Sequence, residues 1–367
     1  MDAIHEIIAE VLRGRGLDGR VCYTHAALLA PDGREVEVEC SDDAVADELR
    51  RRFSLLAGTT AVKVHTLPRT PMPETMLVVS AVGDVRRQPA HASELVSQVV
   101  YGDTAMRLKA QGEWTLARLD DGYLGWIRDW HLTPWSASQG AAFAARASHR
   151  VRSNHALVLS TPDPRALPVT ELVVGTPVAP RGPARRGWQE IELPDGKAGF
   201  VRRGDLEKHT RRKPSPERLA ATGARFMGIP YLWGGNTPGG FDCSGLIQRV
   251  FRLNGVLLPR DSDMQARFGV AREVENPADL EPGNLVFFGK SPEAITHVGL
   301  VLPDRNFLHS YGQVIVNSLD PSSPVYSARL ASIWQGTRDP LRKRSPKKGS
   351  APGRSRGNPN RGLPKKS

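Results

Sequence analysis

Cys243 stands where a glycine-rich stretch, Tyr231-Leu232-Trp233-Gly234-Gly235-Asn236-Thr237-Pro238-Gly239-Gly240-Phe241-Asp242, gives way to the apolar periodicity of Leu246-Ile247-Gln248-Arg249-Val250-Phe251. Glycine at that density breaks regular structure, and the pattern after it is that of a helix, so the cysteine falls in a first helical turn. The partial positive charge of a helix N-terminus favours a thiolate, and a neighbouring imidazolium lowers the thiol pKa further from its reference of about 8.5. Ile295-Thr296-His297-Val298-Gly299-Leu300-Val301-Leu302, an apolar strand with a single ring near its start, supplies a base 54 residues downstream. A second strand, Asn306-Phe307-Leu308-His309-Ser310, carries another ring, and the turn Pro303-Asp304-Arg305 pairs the two strands antiparallel. Cys243 as nucleophile, His297 as general base and His309 as its orienting group are the parts of cysteine-dependent acyl transfer.

Other chemistries find less support. Cys22 and Cys40 lie in apolar, strand-like surroundings and read as small hydrophobes. Ten histidines and three cysteines contain no CxxC, HExxH or closely paired ligands, so neither a metal nor another cofactor is expected. Gly14-Arg15-Gly16-Leu17-Asp18-Gly19 fits G-x-G-x-x-G in letters only. It follows an amphipathic helix (Ile4, Ile7, Ile8, Val11, Leu12) where a dinucleotide site needs a strand, and it reads as a helix stop.

The elements that must position the cysteine and its histidines sit in a multidomain chain. With 367 residues, 40% hydrophobic, the chain can bury more than one core, and 35 glycines with 29 prolines imply many short strands and turns. Residues 1–75 read as a small α/β unit: a helix, strands at Val21–Leu29 and Val36–Cys40, a helix at Asp43–Leu56 and a strand at Ala61–Thr66. Residues 76–134 hold five short strands, at Leu77–Ser80, Val96–Tyr101, Ala105–Leu108, Glu113–Leu116 and Gly125–Ile127, which suggest a small barrel. Residues 145–207 repeat its signals in order, through Gly175-Thr176, Gly187-Trp188 and Asp195-Gly196-Lys197-Ala198-Gly199-Phe200-Val201.

Residues 340–367 are basic and rich in Pro, Gly and Ser, with ten cations and no acid from Arg342 onward, most of the formal +11. Disorder is expected there, with nucleic acid or another anionic polymer as the partner such a tail can bind. The N-terminus has neither a basic n-region nor an uninterrupted apolar run, and no segment is long enough to span a membrane. A cytoplasmic location and no membrane partner are therefore expected, with export by another route left open.

Six segments in order, Tyr231-x-Trp233-Gly234-Gly235, Phe241-Asp242-Cys243-Ser244-Gly245, Leu258-Pro259-Arg260-Asp261-Ser262, Leu280-Glu281-Pro282-Gly283-Asn284, Thr296-His297-Val298-Gly299 and Phe307-Leu308-His309-Ser310, resemble the NlpC-type cell-wall peptidases. The likeness covers residues 215–337. Gln98-Val99-Val100-Tyr101-Gly102-Asp103 and Asp120-Asp121-Gly122-Tyr123-Leu124-Gly125-Trp126-Ile127 resemble a bacterial SH3-like domain. The resemblance implies an α+β chain: a papain-like catalytic domain with a central antiparallel sheet, preceded by two small SH3-like β-barrels and the small N-terminal α/β unit.

It also implies a monomeric γ-D-glutamyl-L-diamino acid endopeptidase acting on murein stem peptides in muropeptide recycling. The oxyanion would be held by the Cys243 N–H and the Tyr231 hydroxyl. Asp261, with Tyr123 and Glu94 of the first barrel, would bind the free α-amine of L-Ala, and Asp242, Ser244, Ser262 and Trp233 would complete the substrate site. Hydrolysis of intact peptidoglycan, a non-catalytic cell-wall or polyanion adaptor, and an amidase or acyltransferase on lipids or other amides are the competing readings.

Overall fold

A computed structural model describes residues 1–29, 34–55, 61–69, 75–210 and 213–342. Leu56, where the second helix was expected to end, and all but residues 340–342 of the basic tail lie outside the described residues.

The N-terminal unit packs two helices, α1 (Asp2–Gly14) and α2 (Asp43–Ser54), on a three-stranded sheet of β1 (Thr24–Leu28), β2 (Glu35–Cys40) and β3 (Ala61–Thr66). The α1 residues Ile4, Ile8, Val11 and Leu12 fall on one helical stripe and are buried against Val45, Leu49 and Phe53 of α2. The first strand starts at Thr24 rather than Val21 because Asp18 builds a turn. Its carboxylate accepts from the Arg20 N–H at 2.9 Å and its carbonyl accepts from the N–H groups of Val21 and Cys22.

Two all-antiparallel sheets follow. The first contains β4 (Thr75–Val78), β5 (Val82–Arg86), β6 (Leu95–Val100), β7 (Thr104–Gln111), β8 (Trp114–Leu119), β9 (Leu124–Arg128) and β10 (Leu132–Pro134), in the order β10-β4-β7-β8-β9-β5-β6. The second contains β11 (His149–Val151), β12 (His155–Leu159), β13 (Pro168–Val173), β14 (Pro177–Arg185), β15 (Trp188–Glu192), β16 (Ala198–Arg202) and β17 (Leu206–Lys208), in the order β17-β11-β14-β15-β16-β12-β13. Strand for strand the two orders coincide, so the second sheet repeats the topology of the first. Side chains repeat with it: Arg128 lies over Trp114 at 5.1 Å and Arg202 over Trp188 at 3.9 Å, each arginine cross-strand from its indole. The expected five strands of the first barrel are seven, because β5 carries Gly83 and Asp84 in its middle and β10 is only three residues long.

The C-terminal domain is built on the six-stranded sheet β20 (Val270–Arg272), β25 (Trp334–Asp339), β21 (Leu285–Gly289), β22 (Ile295–Val301), β23 (Phe307–Tyr311) and β24 (Gln313–Asn317), numbered after the two-residue strands β18 (Asn236–Thr237) and β19 (Gly240–Phe241). Helix α3 (Cys243–Leu253) lies on this sheet, with Leu246, Ile247, Val250 and Phe251 buried against Leu285, Phe287, Val298 and Leu300. Packing at its first turn is close enough to require glycine: a Cβ at Gly245 would stand 2.1 Å from the Gly235 carbonyl oxygen.

The first barrel docks beside this helix. Asn236 donates from its Nδ2 to the Gln98 carbonyl at 3.1 Å, Arg260 Nε donates to Ser97 Oγ at 3.2 Å, and Gln248 Nε2 donates to Asp121 Oδ2 at 2.6 Å. No helix among the described residues is long and apolar enough to cross a membrane.

Candidate active site

Cys243 opens α3, as the glycine-to-helix transition predicts, and Asp242 is its N-cap. The Asp242 carboxylate accepts from the N–H groups of Gly245 at 2.6 Å and Gly234 at 3.0 Å, and it pairs with the Arg260 guanidinium, which is only 1% exposed. Ser244 Oγ joins the same cluster, 3.1 Å from Asp242 and 3.0 Å from Arg260. Both residues line the cleft, and these bonds fix the helix start.

The base is assembled from the second strand pair. His297 and His309 share one face of β22 and β23, and His297 Nε2 lies 2.7 Å from His309 Nδ1. His309 Nε2 lies 2.9 Å from Asn317 Oδ1 on β24, and Asn317 Nδ2 donates to the Val325 carbonyl at 3.0 Å. These contacts settle the tautomers in sequence. A carbonyl only accepts, so Asn317 presents its oxygen to His309, and His309 therefore carries its proton on Nε2. Neutral His309 then accepts at Nδ1, His297 donates from Nε2, and the lone pair of His297 is left on Nδ1.

The protonation states depart from the expected thiolate. Burial, reinforced by the Asp242 carboxylate, pushes the Cys243 thiol up to about 12. Burial, with His309 and the Arg329 guanidinium adding positive charge, pushes His297 down to about 3, and burial holds His309 at about 4. The helix end that was to stabilise S⁻ is already capped by a carboxylate, and the closed site desolvates both partners. The resting pair is a neutral thiol and a neutral imidazole. Val298 and Ser244 turn their N–H groups toward the sulfur, and burial holds the Tyr231 phenol above its ordinary value, so it stays a donor.

The cleft in front of Cys243 has a volume of about 310 Å³. Tyr231, Ser262, Ile295 and Thr296 line it together with Trp233, Glu94, Tyr123 and Asp261. Trp233 is 62% exposed on the rim, and its Nε1 donates to Glu94 Oε1 at 2.9 Å, which ties the catalytic loop to the first barrel. Buried Tyr123 donates its hydroxyl to Asp261 Oδ2 at 3.0 Å.

Two functional residues escaped the sequence reading. Asn317 ends an otherwise apolar run, Val314-Ile315-Val316, and a polar group there, one strand beyond His309, was the available signal. Arg20, in the N-terminal unit, reaches the cleft and donates to Asp261 Oδ2 at 2.9 Å.

Residues 228–335 match the NlpC/P60 family, and residues 85–132 match the bacterial dipeptidyl-peptidase Sh3 domain. The γ-D-glutamyl-L-lysine dipeptidyl-peptidase of Bacillus subtilis (strain 168) is 31% identical over 227 residues, 58% of this chain and 71% of that protein. This chain belongs to the NlpC/P60 family. It is a cysteine peptidase, with the Sh3 domain of the bacterial dipeptidyl-peptidases ahead of its NlpC/P60 domain. Dipeptidyl-peptidase 6 of Lysinibacillus sphaericus is 26% identical over 70% of this chain and 96% of its own length. The crystal structure of an NlpC/P60 family protein from Bacillus cereus ATCC 10987 has the same fold, with a TM-score of 0.61 at 21% identity over 73% of this chain and 99% of that one. The N-terminal unit and the second seven-stranded sheet lie outside both family matches, and that sheet shares the strand order of the first.

Proposed function

We propose that this cell-wall peptidase hydrolyses the bond between γ-D-Glu and the diamino acid of murein stem peptides whose L-Ala carries a free amine. The observation that carries the reading is Asp261, which lines the cleft and is held there by Tyr123 of the first barrel. A carboxylate presented in a partly desolvated pocket pairs with an ammonium, and a substrate lacking that charge leaves the acceptor unsatisfied. The names of the relatives from Bacillus subtilis and Lysinibacillus sphaericus support the choice of a dipeptide-releasing reaction at γ-D-glutamyl.

In this reading the substrate amine docks at Asp261 and the γ-carboxamide carbon reaches Cys243. As Sγ attacks, the thiol proton passes to His297 Nδ1, the lone pair that Asn317 and His309 leave available. The Cys243 N–H and the Tyr231 hydroxyl receive the developing oxyanion. Collapse of the tetrahedral adduct breaks the C–N bond, and His297 returns the proton to the departing diamino-acid amine. Water, deprotonated by His297, then hydrolyses the thioester and releases L-Ala-D-Glu. Intact wall peptides, whose L-Ala is amide-linked to muramic acid, would leave Asp261 without an ammonium, and this supports a role in muropeptide recycling. The test is digestion of intact sacculi and of free stem peptides side by side with mass-spectrometric detection. Release of L-Ala-D-Glu from the peptides alone supports the reading, and efficient digestion of sacculi overturns it.

A further inference from the structure

Arg20 comes from the N-terminal unit, yet its guanidinium sits in the cleft wall. It donates from Nη1 to Asp261 Oδ2 at 2.9 Å and to Asp263 Oδ1 at 2.7 Å, and from Nη2 to Asp263 Oδ2 at 2.8 Å and Asp18 Oδ2 at 2.7 Å. Its backbone is anchored as well, because the Arg20 carbonyl accepts from the Leu124 N–H of β9 at 2.7 Å. Around it the unit is fastened to the same barrel: Lys109 pairs with Glu39, Arg118 donates to the Ser41 carbonyl, and Tyr23 meets Trp126 edge-on with centroids 6.4 Å apart. Arg20 is therefore a fixed part of the cleft.

Charge decides what that part does. Three carboxylates, Asp18, Asp261 and Asp263, face Arg20; among the described residues Arg267 pairs with Asp263 at 2.6 Å, and Arg260, whose charge also acts on Asp261, is itself matched by Asp242. Arg87 and Glu94, which also line the cleft, pair with each other at 3.3 Å and cancel. Three negative charges against two positive ones leave the cluster with a net negative charge even with Arg20 in place. Arg20 and Tyr123 both hold the Oδ2 oxygen of Asp261, so Oδ1 is the atom left to a ligand. The guanidinium thus clamps the carboxylate without consuming its charge.

We propose that Arg20 is a positioning residue that sets Asp261 for the ammonium at the substrate's N-terminus, which makes the N-terminal unit the third wall of a specificity pocket. The inference rests on the free-amine reading above. Without Arg20, three like charges crowd one another, and Asp261 loses a donor that fixes its orientation, so the site binds the ammonium less well while the reacting centre at Cys243 is untouched.

The experiment compares wild type, Arg20→Gln and Arg20→Lys on L-Ala-γ-D-Glu-meso-diaminopimelate and on its N-acetylated analogue, with thermal melting as the folding control. For Arg20→Gln the expected result is a KM for the free-amine peptide raised about tenfold, kcat within about threefold of wild type, and the preference for free over acetylated peptide reduced about tenfold. Arg20→Lys, which keeps the charge without the fork, falls between. If Arg20→Gln does not fold, Asp263→Asn, which removes the guanidinium's bidentate anchor, is expected to raise KM in the same way. An Arg20→Gln enzyme with wild-type KM and preference overturns the inference, as does a lowered KM, which would make Arg20 a competitor of the amine. Equal loss on both peptides marks a merely structural role and overturns it too. A wild-type enzyme that does not prefer the free amine overturns the function proposed above as well, so the two failures are distinguishable.

Discussion

Asn317 Oδ1 lies 2.9 Å from His309 Nε2, and because Asn317 donates its own amide to the Val325 carbonyl, the oxygen cannot turn away. One side-chain amide therefore sets the tautomer of His309 and, through it, that of His297. Asn317→Leu removes this control while leaving the substrate pocket alone. We expect kcat to fall about 10- to 100-fold with KM nearly unchanged, the pattern of an interaction that serves proton transfer. Equal kcat in Asn317→Leu would show that the ring needs no such fixing.

The neutral resting pair predicts the reactivity of the cysteines. Cys243→Ala should abolish hydrolysis without altering the thermal melt. Because burial holds the thiol protonated in the free enzyme, alkylation of Cys243 by iodoacetamide should be slow at pH 6 and accelerate as the pH rises above about 8. Fast labelling at pH 6, read by peptide mass spectrometry, would show a preformed thiolate instead.

Both histidines are held neutral by the fold, at about 3 for His297 and about 4 for His309. An unfolded imidazole titrates near about 6.5, so between about pH 4 and 6.5 the unfolded chain binds protons that the folded chain refuses. Their contribution to stability is complete above about pH 6.5 and is lost as the pH falls, by up to about 1.4 kcal/mol per pH unit for each ring. Urea melts at pH 7.5, 6 and 5 should show this slope, and His309→Gln should flatten it by about one proton's worth. An unchanged slope in His309→Gln would contradict neutral burial of that ring.

Much of the catalytic core is legible in sequence because it is local. Cys243 at a helix start follows from glycine density and apolar spacing, and the pairing of His297 with His309 follows from two strands and a short turn. Antiparallel register then brings the rings to 2.7 Å. What the sequence leaves hidden is either long-range or electrostatic. Arg20 meets Asp261 across 241 residues, and nothing in the Asp18-Gly19-Arg20 turn announces that it faces a cleft. The expected thiolate fails for a related reason: helix position is readable, whereas burial and the capping charge of Asp242 are products of the folded surroundings. Strand β5 is missed because an Asp and a Gly interrupt its alternation, and their cost is met by pairing with β6 along five register positions.

Tyr123 offers a conservative probe of the Asp261 side of the cleft. The side chain is 1% exposed, so Tyr123→Phe keeps the barrel core and deletes the hydroxyl that donates to Asp261. That bond is worth about 1–1.5 kcal/mol, so KM for free-amine peptides should rise about fivefold to tenfold with kcat little changed. A Tyr123→Phe enzyme with wild-type KM would remove the first barrel from substrate recognition.

The central claim is that the cleft selects a peptide by its free N-terminal amine. The direct measurement is kcat/KM of the wild-type enzyme for L-Ala-γ-D-Glu-meso-diaminopimelate against its N-acetylated analogue, with products identified by mass spectrometry. The account predicts cleavage between D-Glu and the diamino acid, and a preference for the free amine of about 100-fold or more, the loss expected when a buried acceptor is left without its ammonium. Equal kcat/KM for the two peptides would contradict it.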